Sequence, residues 1–120
     1  MGRFYYEQLK DFDEAEFYFQ NALASDLKHL ETFEWYTRLL IKKRNFSSAQ
    51  KLINQSYKIK GVNLSIMFQL KALIFEYQKQ YTQSLQLLKK ALEESFNEED
   101  SNFIKSEITR VKKKIKKLEL

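Results

Sequence analysis

Apolar residues fall at helical spacing along most of the chain, and at two places the pattern starts over. Phe12, Ala15, Phe19, Ala22 and Leu23 put one apolar face on a helix running to about Asp26, with two small positions in that face. Phe46, Ala49, Ile53, Ser56 and Tyr57 repeat the template 34 positions later. Tyr81, Ser84, Leu88, Ala91 and Leu92 repeat it after a further 35. A period of this length, kept by large and small positions together, marks stacked helix pairs rather than a closed bundle.

The remaining pattern supplies the partners of those helices. Residues 1–10 read as a short helix with Phe4, Tyr5 and Leu9 apolar. Asp13 is then an N-cap, with Glu14 and Glu16 in a first turn whose dipole favours them. A helix from about His29 to Lys43 turns Leu30, Phe33, Tyr36 and Leu40 inward. Asn45 and Ser47 provide the turn and cap for a helix from Ser48 to about Ile59, and Gly61 suits its C-cap. A third pair spans about Leu64–Gln78 and Thr82–Ser95. Asn97 caps a last helix with Glu98, Glu99 and Asp100 in its first turn, reaching about Leu118. Ile104, Ile108, Val111, Ile115 and Leu118 form one narrow stripe on it, and Lys112, Lys113, Lys114, Lys116 and Lys117 fill the other faces. Two heptads are too few for a free coiled coil, so this helix is expected to cap the open end of a stack.

Composition narrows the class without changing it. The 120 residues suit a single domain or a piece of a longer array, with 43% hydrophobic and 15% aromatic residues to build a core. Zero prolines and two glycines favour long helices over sandwiches and barrels. No window approaches a membrane span, and the N-terminus lacks the apolar core of a secretory signal, which makes a soluble, cytoplasmic protein the expectation. The absence of cysteine excludes disulfides and thiolate metal sites. The net charge of +5 is uneven: residues 1–41 hold 4 basic and 8 acidic groups, residues 42–92 hold 10 and 1, and residues 93–120 hold 7 of each.

Three helix pairs at this period resemble the tetratricopeptide repeat family, whose motif reserves small residues for close helix crossings and large ones between them. The small sites of the second helices fall on Ala15 and Ala22, Ala49 and Ser56, Ser84 and Ala91. Those of the first helices fall on Arg3, Thr37 and Ala72, and Arg3 is a misfit. The large sites fall on Tyr6, Leu40 and Phe75 and on Phe12, Phe46 and Tyr81, with Phe33 and Phe68 as the opening aromatics. Leu27, Gly61 and Phe96 stand where the family carries a terminal proline. The resemblance covers about residues 1–96. It implies an all-α, right-handed solenoid of antiparallel helix pairs, as one domain of about three repeats (1–28, 29–62 and 63–96) plus a capping helix at 97–120. The first repeat lacks about a turn at its start, which points to a chain cut from a longer array, the alternative being that this end meets a partner.

By the same resemblance, binding belongs to the concave face made by the first helix of each pair. Groove positions are then Phe4, Glu7 and Gln8; Glu31, Glu34, Arg38, Ile41 and Lys42; Ile66, Gln69, Leu73, Glu76 and Tyr77. The mixture of apolar and charged groups suits an extended or helical peptide. One sub-type of the family clamps a C-terminal carboxylate with paired basic residues and asparagine. Gln69 and Leu73 stand at the third-repeat places of that clamp, so carboxylate capture of that kind is not expected.

Catalytic signals are poor. His29 is the sole histidine, and a zinc site of the usual ligands cannot be assembled from it. Ser48-Ala-Gln-Lys51 spells S-x-x-K without its companion motifs. Glu93, Glu94, Glu98, Glu99 and Asp100 cluster at a helix junction where capping explains them, and Glu31 with Glu34 has nothing to fix an acid–base pair. The sequons at Asn45, Asn54 and Asn63 fit helix ends and a helix interior better than glycosylation. The sequence therefore predicts a non-catalytic scaffold without cofactor or metal, binding a protein or peptide partner. The alternative is a binder of nucleic acid or an anionic surface through the lysine-rich segments, and self-association through the first or last helix is a further reading.

Overall fold

In the computed structural model, residues 14, 16, 17, 19–21 and 30–118 are described. Those between 14 and 21 are helical, and five helices follow: α1 (Leu30–Lys42), α2 (Phe46–Ser56), α3 (Leu64–Tyr77), α4 (Tyr81–Glu93) and α5 (Glu98–Leu118). The fold is all-α, with no strand among the described residues. The chain divides into two compact units, Met1–Val62 and Asn63–Leu120.

In the first unit α1 packs on α2. Thr37 on α1 and Ala49 and Ser56 on α2 are wholly buried, as expected of positions reserved for close approach. The Thr37 hydroxyl folds back to donate to the Phe33 carbonyl at 2.6 Å, so the buried group is satisfied within its own helix. Phe19, from the helical stretch that precedes α1, stacks on Tyr36 with ring centroids 6.0 Å apart. The small sites Arg3, Ala15 and Ala22 lie outside the described residues, as do residues 1–10 and His29.

The second unit repeats the scheme with an added helix. α3 packs on α4 and α4 on α5. Ala72, Leu88, Ala91, Ile104 and Val111 form the core, flanked by Phe68, Tyr81, Leu85, Ile108 and Ile115. The stripe on α5 is thus spent on α4, except at its end, where Leu118 is exposed. Two serines show how close the first crossing is. Ser65 near the start of α3 donates to the carbonyl of Ala91 near the end of α4 at 2.9 Å. Ser84 near the start of α4 donates to the carbonyl of Ala72 in α3 at 2.8 Å. The start of α3 thus meets the end of α4, and a later turn of α3 meets the start of α4, which fixes the pair as antiparallel.

The turns inside the two pairs share one geometry. Asn45 N–H donates to the Leu40 carbonyl and Gln80 N–H to the Phe75 carbonyl, each at 2.8 Å. Arg44 N–H reaches Ile41 and Lys79 N–H reaches Glu76, each at 3.0 Å. These bonds close a Schellman motif, which needs a left-handed residue after the helix. Arg44 and Lys79 take that conformation at φ 65° and 61°. Asparagine side chains then start the next elements: Asn45 accepts from Ser48 N–H, Asn63 from Ile66 N–H and Asn97 from Asp100 N–H.

α2 departs from the sequence pattern at both ends: it begins at Phe46, two residues before the predicted Ser48, with Asn45 as its N-cap and Ser47 inside the helix. α2 stops at Ser56, three residues before the predicted Ile59. The Ser56 hydroxyl donates to the Ile53 carbonyl at 2.6 Å, competing with the helical ladder, and the backbone continues in tighter turns from Gln55 to Val62. Gly61, at φ 90°, serves that turn instead of the helix C-cap.

A candidate interaction cleft in the second unit

Leu73, Glu76 and Tyr77 lie three and four residues apart on α3, so they share one face. The flank adjoining it carries Leu70, Ile74 and Met67, all buried. Beside the first face stand Arg110 and Lys114 of α5, one turn apart, and the five side chains line a cleft of about 340 Å³. Tyr77 is the exposed apolar surface at its edge, 45% accessible.

The electrostatics of the cleft are organised by Glu76, whose side chain is only 8% exposed. One of its oxygens accepts from both Arg110 Nη1 and Lys114 Nζ, and the other accepts from Arg110 Nη2 at 2.8 Å. Arg110 also bonds Glu107 through Nε at 3.1 Å and Nη2 at 2.9 Å. Lys114 lies over the Tyr81 ring, 5.7 Å from its centroid. The hydrogen bonds from Arg110 hold the Glu76 carboxyl below the ordinary carboxylate range. Burial opposes that shift, and the Lys114 bond adds to it. In turn the Arg110 guanidinium is held still more firmly in its charged form, first by Glu76 and then by Glu107. The network ties α5 to α3 and leaves both cations partly open, at 41% and 43% of their side chains. The surface so formed presents an aromatic ring, an aliphatic side chain, a guanidinium and an ammonium group side by side.

The other positions read as groove residues are placed more variously. On α1, Glu34 pairs with Arg38 at 3.2 Å, and the Arg38 guanidinium sits 5.8 Å from the centroid of the Trp35 ring. Lys42 is exposed. Ile41 is 2% exposed and belongs to the interior, so it offers no surface to a partner. Gln69 on α3 is half-buried and bonded to Ser65 at 3.3 Å. Phe4, Glu7 and Gln8 lie outside the described residues. Arg110 and Lys114 were absent from the predicted groove, because the pattern of α5 sets its lysines together on the polar side. A signal for Arg110 does exist: it follows Glu76 by 34 positions, one repeat length, and the two side chains meet.

Elsewhere the candidate chemistry resolves into structure. Asp100 of the acidic cluster donates its backbone N–H to the Asn97 side chain at 2.8 Å, a helix cap. Ser48, of the S-x-x-K pair, donates its N–H to the Asn45 cap. Among the described residues no group of three or more His, Cys, Asp or Glu could hold a metal ion. No helix among them is long and apolar enough to cross a membrane.

The chain is an all-α protein of antiparallel helix pairs, with a cleft between α3 and α5 in its second unit. Residues 1–29 match the model of the tetratricopeptide repeat family. The match supports the resemblance carried by the 34–35-residue period and its small positions. No curated relative and no solved structure matches the chain.

Proposed function

We propose that the chain is a non-catalytic interaction module that holds a peptide or helix of a partner protein against the first-helix face of its pairs. The observation that carries this reading is the cleft between α3 and α5, where Leu73 and Tyr77 supply apolar surface beside the half-exposed cations Arg110 and Lys114. An aromatic and an arginine at one place are the residue types that dominate interface energies. The match at residues 1–29 supports the same class of function, since the family is one of protein-binding repeats. Glu76 acts in this reading as the residue that positions both cations, rather than as a contact for the partner.

Crosslinking with mass spectrometry in native extract would identify the partners. Leu73→Ser with Tyr77→Ala is then expected to weaken the principal complex at least about tenfold, the loss of one aromatic anchor and its neighbour. Helix content by circular dichroism should stay unchanged. Retention of every partner by a folded double variant would show that binding lies elsewhere on the chain.

A further inference from the structure

The outer face of α5 carries a separate property. From Ile108 to Leu118 the sequence holds six cationic side chains and no acidic one. The structure divides them: Arg110 and Lys114 turn to Glu76, whereas Lys112, Lys113, Lys116 and Lys117 are exposed, as is Lys105 two turns earlier. At about 100° per residue, these five lysines fall within roughly 140° of the helix circumference. The only uncharged residues in that arc are small and polar, among them Ser106 and Thr109. None of the five pairs with a carboxylate among the described residues. A run of like charges spaced at three and four residues repels itself, and a carboxylate partner would relieve that.

From this we infer that the lysine face of α5 is a docking surface for an acidic protein segment, of the kind that presents glutamates at matching helical intervals. Charge complementarity selects the class. The arc holds no aromatic side chain on which a base could stack and no arginine free to fork onto a phosphate. It also holds no apolar residue that could enter a bilayer: Ile104, Ile108, Val111 and Ile115 pack in the core, and the exposed Phe103 and Leu118 lie outside the arc. Lysine ammonium groups at i and i+4 (Lys112 with Lys116, Lys113 with Lys117) match carboxylates at the same spacing on a facing helix. The surface is distinct from the cleft, and its test does not depend on the peptide reading of that cleft.

The experiment titrates labelled poly-L-glutamate against the full chain by fluorescence anisotropy at about 50 mM salt, where surface charges are only partly screened. Neutralising Lys112, Lys113, Lys116 and Lys117 to glutamine should weaken binding at least about tenfold, four exposed pairs being lost together. A matched variant with the same charge change at Lys51, Lys58, Lys60 and Lys79 should weaken it less than about twofold. The milder pair Lys113→Gln with Lys117→Gln, expected to lose about threefold, carries the test if the fourfold variant loses helicity. Equal losses in the matched variant would overturn the proposal in favour of a net-charge effect. Tighter binding of polyuridine, or of vesicles containing phosphatidylserine, would overturn it in favour of a phosphate ligand. No binding of polyglutamate would overturn it outright.

Discussion

The Ser84 hydroxyl donates to the carbonyl of Ala72 across the α3–α4 crossing at 2.8 Å, and both residues are essentially without solvent contact. A helix carbonyl can accept from a neighbouring helix in this way only if the two backbones come close, which is why neither position carries a long side chain. The bond itself is modest and the space is not. Ser84→Ala should cost about 1 kcal/mol, the net worth of one buried hydrogen bond. Ser84→Leu should cost about 1–3 kcal/mol or more through overpacking. Urea unfolding monitored by circular dichroism would separate the two; equal losses would mean that volume is not the constraint at this crossing.

Glu76 and Arg110 give a second prediction, on pH. The Glu76 carboxyl is held below its ordinary value of 4.5 in the folded chain. A depressed folded pKa stabilises the fold fully above the unfolded value and loses that contribution as pH falls through the folded one. Glu76→Gln is expected to cost about 1–2 kcal/mol at neutral pH, a moderate figure because both cations remain partly in water. The gap in melting temperature between the parent and Glu76→Gln should then narrow as the solution is taken from about pH 6 to about pH 3. A gap that stayed constant over that range would show that ionised Glu76 is not what ties α5 to α3.

Much of this was legible in the sequence because size and periodicity both leave marks there. The requirement for small residues is visible at Ala49, Ser56, Ser84 and Ala91, and all four are fully buried. The caps at Asn45, Asn63 and Asn97 were equally readable, since a short polar side chain before an apolar run has one common use. Charge pairing is harder to read, because it depends on which helices become neighbours. Lys114 stands between Lys113 and Ile115 in a lysine-rich run, and only the packing of α5 beside α3 separates it from the lysines facing solvent. Ile41 shows the converse. Its periodicity allows a groove position, yet the side chain is buried. The early end of α2 was hidden for a third reason, since the Ser56 hydroxyl decides between two local hydrogen-bonding patterns that sequence spacing does not distinguish.

Lys79 and Arg44 occupy left-handed backbone in equivalent turns, a conformation that costs a residue with a side chain about 1–2 kcal/mol. Lys79→Gly is therefore expected to stabilise the chain by roughly 0.5–1 kcal/mol, after allowing for the extra freedom glycine has when unfolded. Arg44→Gly should gain less, because the Arg44 guanidinium donates to the Ile41 carbonyl at 3.3 Å and that bond would go. Thermal melts of the two variants should rank them in that order. A loss of stability in Lys79→Gly would mean that the lysine side chain contributes more than its backbone strain removes.

The start of α4 supplies the last prediction. Gln80 holds the N-cap position but makes no side-chain cap bond, whereas Asn45 caps the equivalent helix in the first unit. Glutamine is one methylene too long to fold back onto the first turn in the usual way, so an orphan N–H of α4 is left to other partners. Gln80→Asp shortens the side chain and places a negative charge at the positive end of the helix dipole. It is expected to raise stability by about 0.5–1.5 kcal/mol at neutral pH. Asn63→Ala, which removes a cap that is made, should cost about 1 kcal/mol. The aspartate gain should fade as the solution is acidified below the ordinary carboxylate range, since a cap carboxylate stabilised by the helix is protonated there. A gain that survived full protonation would point to geometry alone, and no gain at any pH would show that the α4 N-terminus is already satisfied.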